Sequence, residues 1–238
     1  MRLLPAAALL TAAALPLALA ACTAGSPPVP EAAAGPPSAA PSPASPNAGL
    51  LTGTQLKGLL EPRAYFRRGY VRDAAGTRDT GPGYQQPGAA EVAKPRCRLL
   101  GATSWTSITG ISGVSFAENA YVDRASTSEI AQEIDVYRGT ASRAVMRNLG
   151  AVATACPWYT DPQTGSRATV SERASPRFAE GGYVITVTDP AWRGGTTLVA
   201  ARAGTAVVTV LSTDGTDNGH ASAMRLASQL VSVLQGVT

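Results

Sequence analysis

The first 48 residues constrain the fold most, because they hold almost nothing from which a core could form. Arg2 is the only charged residue among the first 21, and an apolar run of Leu and Ala follows it. The run ends in Leu19-Ala20-Ala21-Cys22, the lipobox pattern of bacterial lipoproteins. A basic start, an apolar stretch and small residues at the cut are the parts of a signal peptide. We therefore predict a signal peptide over residues 1–21 and lipidation of Cys22.

An uncleaved membrane helix is the alternative for this segment, since residues 3–21 are just long enough to span a bilayer. Against it, Pro5 and Pro16 interrupt the run, and no basic flank follows. A lipoprotein would carry a diacylglyceryl group on the Cys22 sulfur, commonly with a further acyl chain on its nitrogen, and two or more chains anchor a protein stably. The membrane is thus the first expected partner, and the extracytoplasmic face of the cell membrane is the expected location.

Residues 22–48 are predicted to be the lipidated cysteine and a tether. Between Thr23 and Ala48 there are eight prolines, one charge (Glu31) and no aromatic residue. Such a segment buries too little apolar area to offset the entropy of ordering, and its prolines favour extended chain. The fold therefore has to come from residues 49–238, whose length suits one domain with a full core.

The patterns within residues 49–238 predict an α+β domain. Residues 51–60 are typical of a short capped helix, and residues 140–156 and 219–234 place apolar side chains at helical spacing. Strands are predicted at 103–107, 113–124, 167–174, 183–188, 196–202 and 206–212, while 128–137 fits either a helix or a strand. This order of elements indicates an antiparallel twisted β-sheet with helices packed mainly on one face.

Residues 62–94 are predicted to be a long irregular surface segment. It has several Gly and Pro, little periodicity and five arginines: Arg63, Arg67, Arg68, Arg72 and Arg78. Its basic bias would draw it towards anionic lipid head groups or an acidic envelope polymer. An ordinary solvated loop is the alternative.

The cysteine count agrees with export. The chain has three cysteines, Cys22, Cys97 and Cys156. An odd count is unusual in an exported protein, but lipidation of Cys22 leaves an even pair in a compartment that permits disulfides. We predict a Cys97–Cys156 disulfide; two free buried thiols are the alternative.

The order of elements resembles the PknH-like extracellular sensor domain, found outside actinobacterial serine/threonine kinases and in related lipoproteins. The likeness covers most of residues 49–238. It rests on scattered features: the opening 51–60 helix, Cys97, Asp135-Val136-Tyr137, the helix with Ala141 and Ala144 that ends at Cys156, residues 199–204 and 207–208, and the closing amphipathic helix. The resemblance implies a fold and a sensing or binding role. The chain departs from the family in offering one cysteine pair for two disulfides, and in showing neither a kinase domain nor a transmembrane helix.

Catalytic patterns are weak throughout. His220 is the only histidine, so a Ser-His-Asp triad would have to use it, and no Gly-x-Ser-x-Gly elbow accompanies it. Asp79-Thr80-Gly81 matches the aspartic protease tripeptide but occurs once, whereas that chemistry needs two carboxylates. Residues 214–219 start like a calcium loop, but Arg225 stands where an acidic ligand is required. We predict no enzyme, no cofactor, no metal site and no nucleic-acid partner.

The leading functional hypothesis is a non-catalytic ligand-binding or sensor-type domain, in which a cleft accepts a small or lipid-like envelope molecule. Trp158 and Trp192 are the predicted aromatic lining of that cleft, and Arg67 and Arg68 the predicted basic flank that favours an anionic head group. Core packing is the alternative role for the tryptophans. The alternative function is a structural or assembly lipoprotein that docks another cell-envelope protein.

Overall fold

The chain is described here by a computed structural model that covers residues 45–88 and 94–237. The predicted signal peptide, Cys22 and most of the predicted tether lie outside the described residues. The described part begins with a turn in which the Ala48 amide donates to the Ser45 carbonyl at 2.9 Å. Beside it, Arg138 Nε donates to Asn47 Oδ1 at 2.7 Å. Residues 45–48, at the end of the predicted tether, therefore include a side chain that is bonded to the domain.

The described residues contain eight strands in one antiparallel sheet. They are β1 (Tyr70–Asp79), β2 (Ser115–Asp123), β3 (Ser128–Val136), β4 (Trp158–Thr160), β5 (Arg167–Ala174), β6 (Gly182–Thr188), β7 (Thr196–Ala203) and β8 (Ala206–Ser212). Their order across the sheet is β1-β2-β3-β8-β7-β6-β5-β4. The predicted α+β class with an antiparallel sheet is confirmed, and the ambiguous segment 128–137 is strand β3.

Apolar side chains cover both faces of this sheet. Strand β8 is buried at every position, with Val208 and Val210 in one core cluster and Val207 and Leu211 in the other. Helices α1 (Gly53–Leu59) and α5 (His220–Gln235) cover the first face, which we call the α5 face. Helices α2 (Thr106–Thr109), α3 (Ala141–Leu149) and α4 (Val152–Ala155) cover the second, the α3 face. The longest helix, α5 with 16 residues, lies with α1 on the α5 face, and the shorter helices α2, α3 and α4 cover the α3 face.

The two helices of the α5 face follow their sequence patterns closely. The buried side of α5 consists of Ala223, Leu226, Ala227, Leu230, Val231 and Leu234, the predicted apolar face. Helix α1 starts with a capping box, in which the Gln55 amide donates to Thr52 Oγ1 and the Thr52 amide donates to Gln55 Oε1 at 2.8 Å. Reciprocal bonds of this kind satisfy amides that lack a partner within the helix.

The predicted helix 140–156 on the α3 face is broken into α3 and α4. Gly150 ends α3, and a Cβ at this position would lie 2.4 Å from the Tyr183 hydroxyl. Glycine is a poor helix former, which favours the end of a helix at this position. The close contact with Tyr183 also requires a residue without a Cβ. Beyond α4, Cys156 bonds Cys97 with an S–S distance of 2.05 Å. The predicted disulfide is confirmed, and it ties the 3-10 helix Cys97–Leu99 to the end of α4.

Two sequence predictions about strands were wrong. The predicted irregular segment 62–94 contains β1, an edge strand of 10 residues. It pairs with β2 from Tyr70 opposite Asp123 to Asp79 opposite Ala117, with an irregular register between Asp73 and Arg78. Backbone bonds to β2 hold this strand, whose polar, Gly-containing sequence shows no clear apolar alternation.

The predicted strand 103–107 is a loop that leads into α2. Tertiary hydrogen bonds decide its shape, because Thr103 Oγ1 donates to Glu118 Oε1 at 3.0 Å and Trp105 Nε1 donates to Thr209 Oγ1 at 2.6 Å. The first bond reaches a strand 15 residues away in sequence, and the second reaches one 104 residues away. The short edge strand β4 has no counterpart among the predictions.

Strand pairing brings five connections to one end of the sheet. β1 begins opposite the end of β2, with Tyr70 facing Asp123, and β7 begins opposite the end of β8, with Thr197 facing Ser212. The remaining pairs continue this alternation. We call this end the loop end; it comprises residues 66–69, 124–127, 161–166, 189–195 and 213–219.

Candidate ligand-binding site

A cleft with a volume of about 360 Å³ opens at the loop end. Three connections line it: the β2–β3 turn, the β6–β7 loop and the β8–α5 loop. The lining residues are Ser126, Thr127, Ser128, Trp192, Arg193, Gly194, Gly195, Thr196, Thr213 and Gly215. Pockets of this volume accommodate small organic ligands. We refer to it as the loop-end cleft.

The frame of the loop-end cleft is held by backbone geometry. The Gly195 amide donates to Asn218 Oδ1 at 2.7 Å, which ties the β6–β7 loop to the β8–α5 loop. A Cβ at Gly195 would lie 2.7 Å from the Val187 carbonyl, so only glycine fits there without a shift. On the opposite side, Thr127 has a φ of +59°, an uncommon conformation for a β-branched residue.

Trp192 is held in place at the cleft by a hydrogen bond to a neighbouring loop. Its indole Nε1 donates to Asp161 Oδ2 at 3.1 Å. Backbone amides of Thr164 and Gln163 hold the pKa of Asp161 below its usual range, and the Trp192 bond adds to this effect. The carboxyl group therefore stays ionised and keeps accepting from the indole at physiological pH.

Some polar side chains of the cleft form hydrogen bonds within the protein, and others have no partner among the described residues. Ser126 Oγ donates to Ser128 Oγ at 3.0 Å, and Thr213 Oγ1 accepts from the Glu129 amide at 2.8 Å. The side chains of Arg193 and Thr196 have no hydrogen-bond or ion-pair partner among the residues that the structure describes. An aromatic ring beside unused donors and acceptors suits a hydroxylated or anionic molecule more than a purely apolar one.

Trp158 does not belong to this cleft. It lies on β4, the edge strand at the far side of the sheet, and 47% of its surface is exposed. The Arg167 guanidinium stacks over its ring with 4.4 Å between Cζ and the ring centroid. The structure thus separates the two predicted aromatic ligands, and only Trp192 faces the loop-end cleft.

Arg67 and Arg68 lie at the loop end, but neither lines the cleft. Arg67 Nη2 pairs with Asp214 Oδ1 at 2.5 Å, and Arg68 is exposed. Asp214 stands between Thr213 and Gly215, both of which line the cleft. Arg67 and the cleft therefore lie on two sides of one loop, so the predicted basic flank is placed close to the candidate site.

Sequence reasoning missed most of the cleft lining. The hydroxyl side chains come from the β2–β3 turn, from Thr196 and from Thr213, which only the strand pairing brings together. One local signal was present: the pair Gly194-Gly195 directly after Trp192 and Arg193. Paired glycines beside an aromatic and a basic residue are typical of a loop that a ligand approaches closely.

A group of three carboxyls on β2 and β3, of which Glu133 and Asp135 are buried and Glu118 is half-buried, was also missed. Glu118 faces Glu133 across the strands, and Asp135 follows on the same side of β3. Burial raises the pKa of Glu133 to about 7, and burial together with the Glu133 charge raises that of Asp135 well above its usual range. Arg78 Nε donates to Glu118 Oε2 at 2.6 Å.

Thr103 joins the three carboxyls to the loop before α2. Its Oγ1 lies within hydrogen-bond distance of both Glu118 and Glu133. A hydroxyl has one proton to donate, so Thr103 donates to only one of these carboxyls at a time. Asp135 Oδ2 is buried without a hydrogen-bond partner. We interpret the group as structural, because it holds the loop before α2 on the sheet.

The residues considered for catalysis are engaged elsewhere. His220 Nε2 lies 3.3 Å from Arg173 Nη2, while Asp217 accepts from the Ala221 amide at 2.8 Å. Asp79 lies at the end of β1, not in a loop as predicted, and pairs with Lys57 at 2.9 Å. No Ser-His-Asp arrangement is assembled around His220 in the part of the chain that the structure describes.

Within residues 45–88 and 94–237, no group of three or more His, Cys, Asp or Glu side chains is arranged to hold a metal ion. The same residues include no helix with the length and apolarity needed to cross a bilayer. No protein-family model matches the chain, and no curated protein sequence matches it significantly.

Proposed function

We propose that this protein is a lipid-anchored, extracytoplasmic binding protein whose domain recognises a small hydroxylated molecule of the cell envelope without catalysis. Cys22 carries the anchor, and residues 23–44 act as the tether. The domain is of the PknH-like sensor type, and its ligand occupies the loop-end cleft. The proposal rests on the lipobox for location and on the cleft for function.

The single observation that supports binding most is the composition of the loop-end cleft. Trp192 offers an aromatic ring, five hydroxyl side chains surround it, and Arg193 adds one positive charge. A sugar has an apolar C–H face that stacks on an aromatic ring and hydroxyl groups that exchange hydrogen bonds. An envelope sugar or glycan fragment therefore matches this lining in both respects.

Arg193, the charged side chain among the described residues that line the cleft, favours a ligand with an acidic group. It has no ion-pair partner among the described residues. A positive charge in a cleft raises the local concentration of anions. Uronic acids and muramic acid, which join a carboxylate to a sugar ring, are the expected class.

The test uses the purified mature protein in non-ionic detergent. Calorimetric titration with muramyl dipeptide and with glucuronic acid should give binding that Trp192→Ala and Arg193→Gln each weaken by at least about tenfold, as expected for residues that contact a ligand directly. Trp158→Ala is the matched control, since it removes the same side chain outside the cleft. If neither sugar binds, or if Trp158→Ala weakens binding as much as Trp192→Ala, the proposed site is wrong.

Docking of another envelope protein is the second candidate, and exposed Trp158 is the observation that supports it. Tryptophan and arginine are the residue types most often found at the energetic centres of interfaces, and here Arg167 stacks on Trp158. Cross-linking in the native membrane distinguishes the candidates. Capture of one partner that is lost in Trp158→Ala, together with absence of sugar binding, would favour docking.

A further inference from the structure

A second, more enclosed cavity lies on the α5 face beside the start of β1. Its volume is about 60 Å³, which is room for one small group. Its apolar walls include Phe66 and Leu226, and its polar lining consists of Arg67, Tyr70, Asp214, Ser222 and Arg225. We call it the Tyr70 cavity; it shares no lining residue with the loop-end cleft.

The Tyr70 hydroxyl lies beside Asp214 and Arg67 at this cavity. Tyr70 is only 1% exposed, and its hydroxyl makes no hydrogen bond of normal geometry. Burial raises the pKa of Tyr70 to about 12, and the charge and hydrogen bonding of the neighbouring Asp214 add to this effect. The group therefore keeps its proton at physiological pH, and an unsatisfied buried donor is costly unless something accepts from it.

The charged side chains that line the cavity are Arg67, Arg225 and Asp214. Asp214 is already engaged, by Arg67 at 2.5 Å and by Ser222 Oγ at 2.9 Å. Arg225 makes no hydrogen bond or ion pair with any residue that the structure describes. Two guanidinium groups and one carboxylate leave one positive charge in the lining without a counter-charge. A ligand with one negative charge would balance it.

Arg67 is also held in position by an aromatic cluster. Its Cζ lies 5.5 Å from the centroid of the Tyr70 ring, and the Phe66 ring packs against that of Tyr121 at 4.4 Å. A donor fixed in this way loses little side-chain entropy when a ligand binds. The cavity is thus organised before anything enters it.

We propose that the Tyr70 cavity binds one phosphodiester group, with Tyr70 and Arg225 donating hydrogen bonds to its non-bridging oxygens. A phosphodiester has a single negative charge, which matches the net charge of the lining. It also has a carbon substituent on each side, and Phe66 and Leu226 provide apolar surface for them. This inference is independent of the sugar proposed for the loop-end cleft, because the two sites share no residue.

The experiment compares variants of the mature protein in non-ionic detergent at low ionic strength, titrated with dimethyl phosphate. Wild type should bind, and Tyr70→Phe and Arg225→Gln should each weaken binding by about tenfold or more, the usual effect of losing one hydrogen bond to a charged group. Arg72→Gln is the matched control; it removes an exposed arginine of the same basic segment and should leave the affinity unchanged within about twofold.

Thermal unfolding separates binding from folding. Tyr70→Phe should melt within a few degrees of wild type, since the hydroxyl that it removes makes no hydrogen bond of normal geometry. Weaker binding by a variant that melts at this temperature cannot be attributed to unfolding. No binding of dimethyl phosphate by wild type would mean that the cavity holds water only, and would overturn the proposal. Equal weakening by Arg72→Gln would also overturn it, because general charge attraction would then explain the binding.

Two further ligands identify the source of the phosphodiester. Short-chain phosphatidylglycerol and phosphatidylcholine with the same acyl chains are titrated beside glycerophosphoglycerol, which lacks acyl chains. Tighter binding of phosphatidylglycerol, lost in Arg225→Gln, would assign a lipid head group, and equal binding of glycerophosphoglycerol would assign a free diester. Equal affinity for butyrate would contradict the phosphodiester assignment.

Discussion

Trp192 and Asp161 are joined by a hydrogen bond of 3.1 Å between the indole Nε1 and Oδ2. The bond links the β6–β7 loop to the β4–β5 loop, and it sets the position of the one tryptophan that lines the loop-end cleft. Asp161 also accepts from the Gln163 amide at 2.7 Å. One buried carboxylate therefore organises its own turn and the aromatic wall of the candidate site together.

Replacing Asp161 should loosen that wall. Asp161→Ala removes the acceptor of the indole and of two backbone amides, and we expect a loss of about 1–3 kcal/mol in the free energy of unfolding. The tryptophan emission, measured with Trp158→Phe as background so that only Trp192 and the buried Trp105 contribute, should move to longer wavelength as the Trp192 indole meets water. Gln163→Ala in the same turn is the control, because only its backbone takes part. An unchanged emission spectrum in Asp161→Ala would contradict the prediction.

The buried carboxyls should make the protein less stable as the pH rises. The pKa of Glu133 is about 7 in the folded protein against 4.5 as its ordinary value. The folded state therefore holds more protons than the unfolded chain between these pH values, and stability falls as the pH rises through that window. The loss attributable to Glu133 is on the order of 3 kcal/mol.

Urea unfolding at pH 5, 6, 7 and 8 measures this dependence. Glu133→Gln keeps the shape of the side chain but cannot ionise, so its unfolding free energy should vary less over this range than that of wild type. Equal slopes for the two proteins would show that Glu133 is ionised throughout.

Loss of the disulfide should destabilise the domain strongly. Cys97 and Cys156 are 59 residues apart in sequence, and in the chain-entropy model a loop of this length contributes about 4 kcal/mol. Cys97→Ala/Cys156→Ala should therefore melt well below wild type. Dithiothreitol should lower the wild-type Tm and leave that of the double variant unchanged. If wild type is unfolded, reduced and refolded in dithiothreitol and its Tm does not fall, the estimate of about 4 kcal/mol is wrong.

Two glycines should respond in opposite ways to alanine. Gly219 has a φ of +82°, and a Cβ there would lie 2.0 Å from the Ser212 carbonyl oxygen. Gly219→Ala should cost about 2–4 kcal/mol, since a left-handed backbone and a steric clash add. Gly58 is an exposed residue of α1 with open space around it. Gly58→Ala should therefore stabilise the folded domain by up to about 1 kcal/mol. Similar Tm changes for both would show that the turn at Gly219 relaxes freely.

The membrane anchor is testable by one substitution. We expect the mature N-terminus to be acylated Cys22, and Cys22→Ala should move the protein from the detergent phase to the aqueous phase in Triton X-114 partitioning. A single retained acyl chain would give only marginal binding. Mass analysis of the N-terminal peptide identifies the chains. Equal membrane binding of wild type and Cys22→Ala would refute lipidation.

Local sequence predicted the structure well wherever the interactions that form an element lie within that element or its nearest neighbour in the chain. The Thr52–Gln55 capping box, the apolar face of α5 and the hairpin between β7 and β8 all follow from residues close together in the chain. Strands β5 to β8 were also predicted closely. Edge strand β1 was not, because backbone pairing with β2 holds it rather than an apolar pattern of its own.

The sequence by itself determined the α+β class, the partner of Cys97 and the residues that could face a core, since apolar periodicity and cysteine number are local or countable properties. Tertiary structure alone decided which predicted site residues meet. It placed Trp192 at the loop end and Trp158 on the far edge strand, and it put Arg67 against Asp214 beside the unpartnered Tyr70 hydroxyl. These relationships depend on the order and register of eight strands, which are set by packing between segments up to about 150 residues apart. No local pattern carries that information.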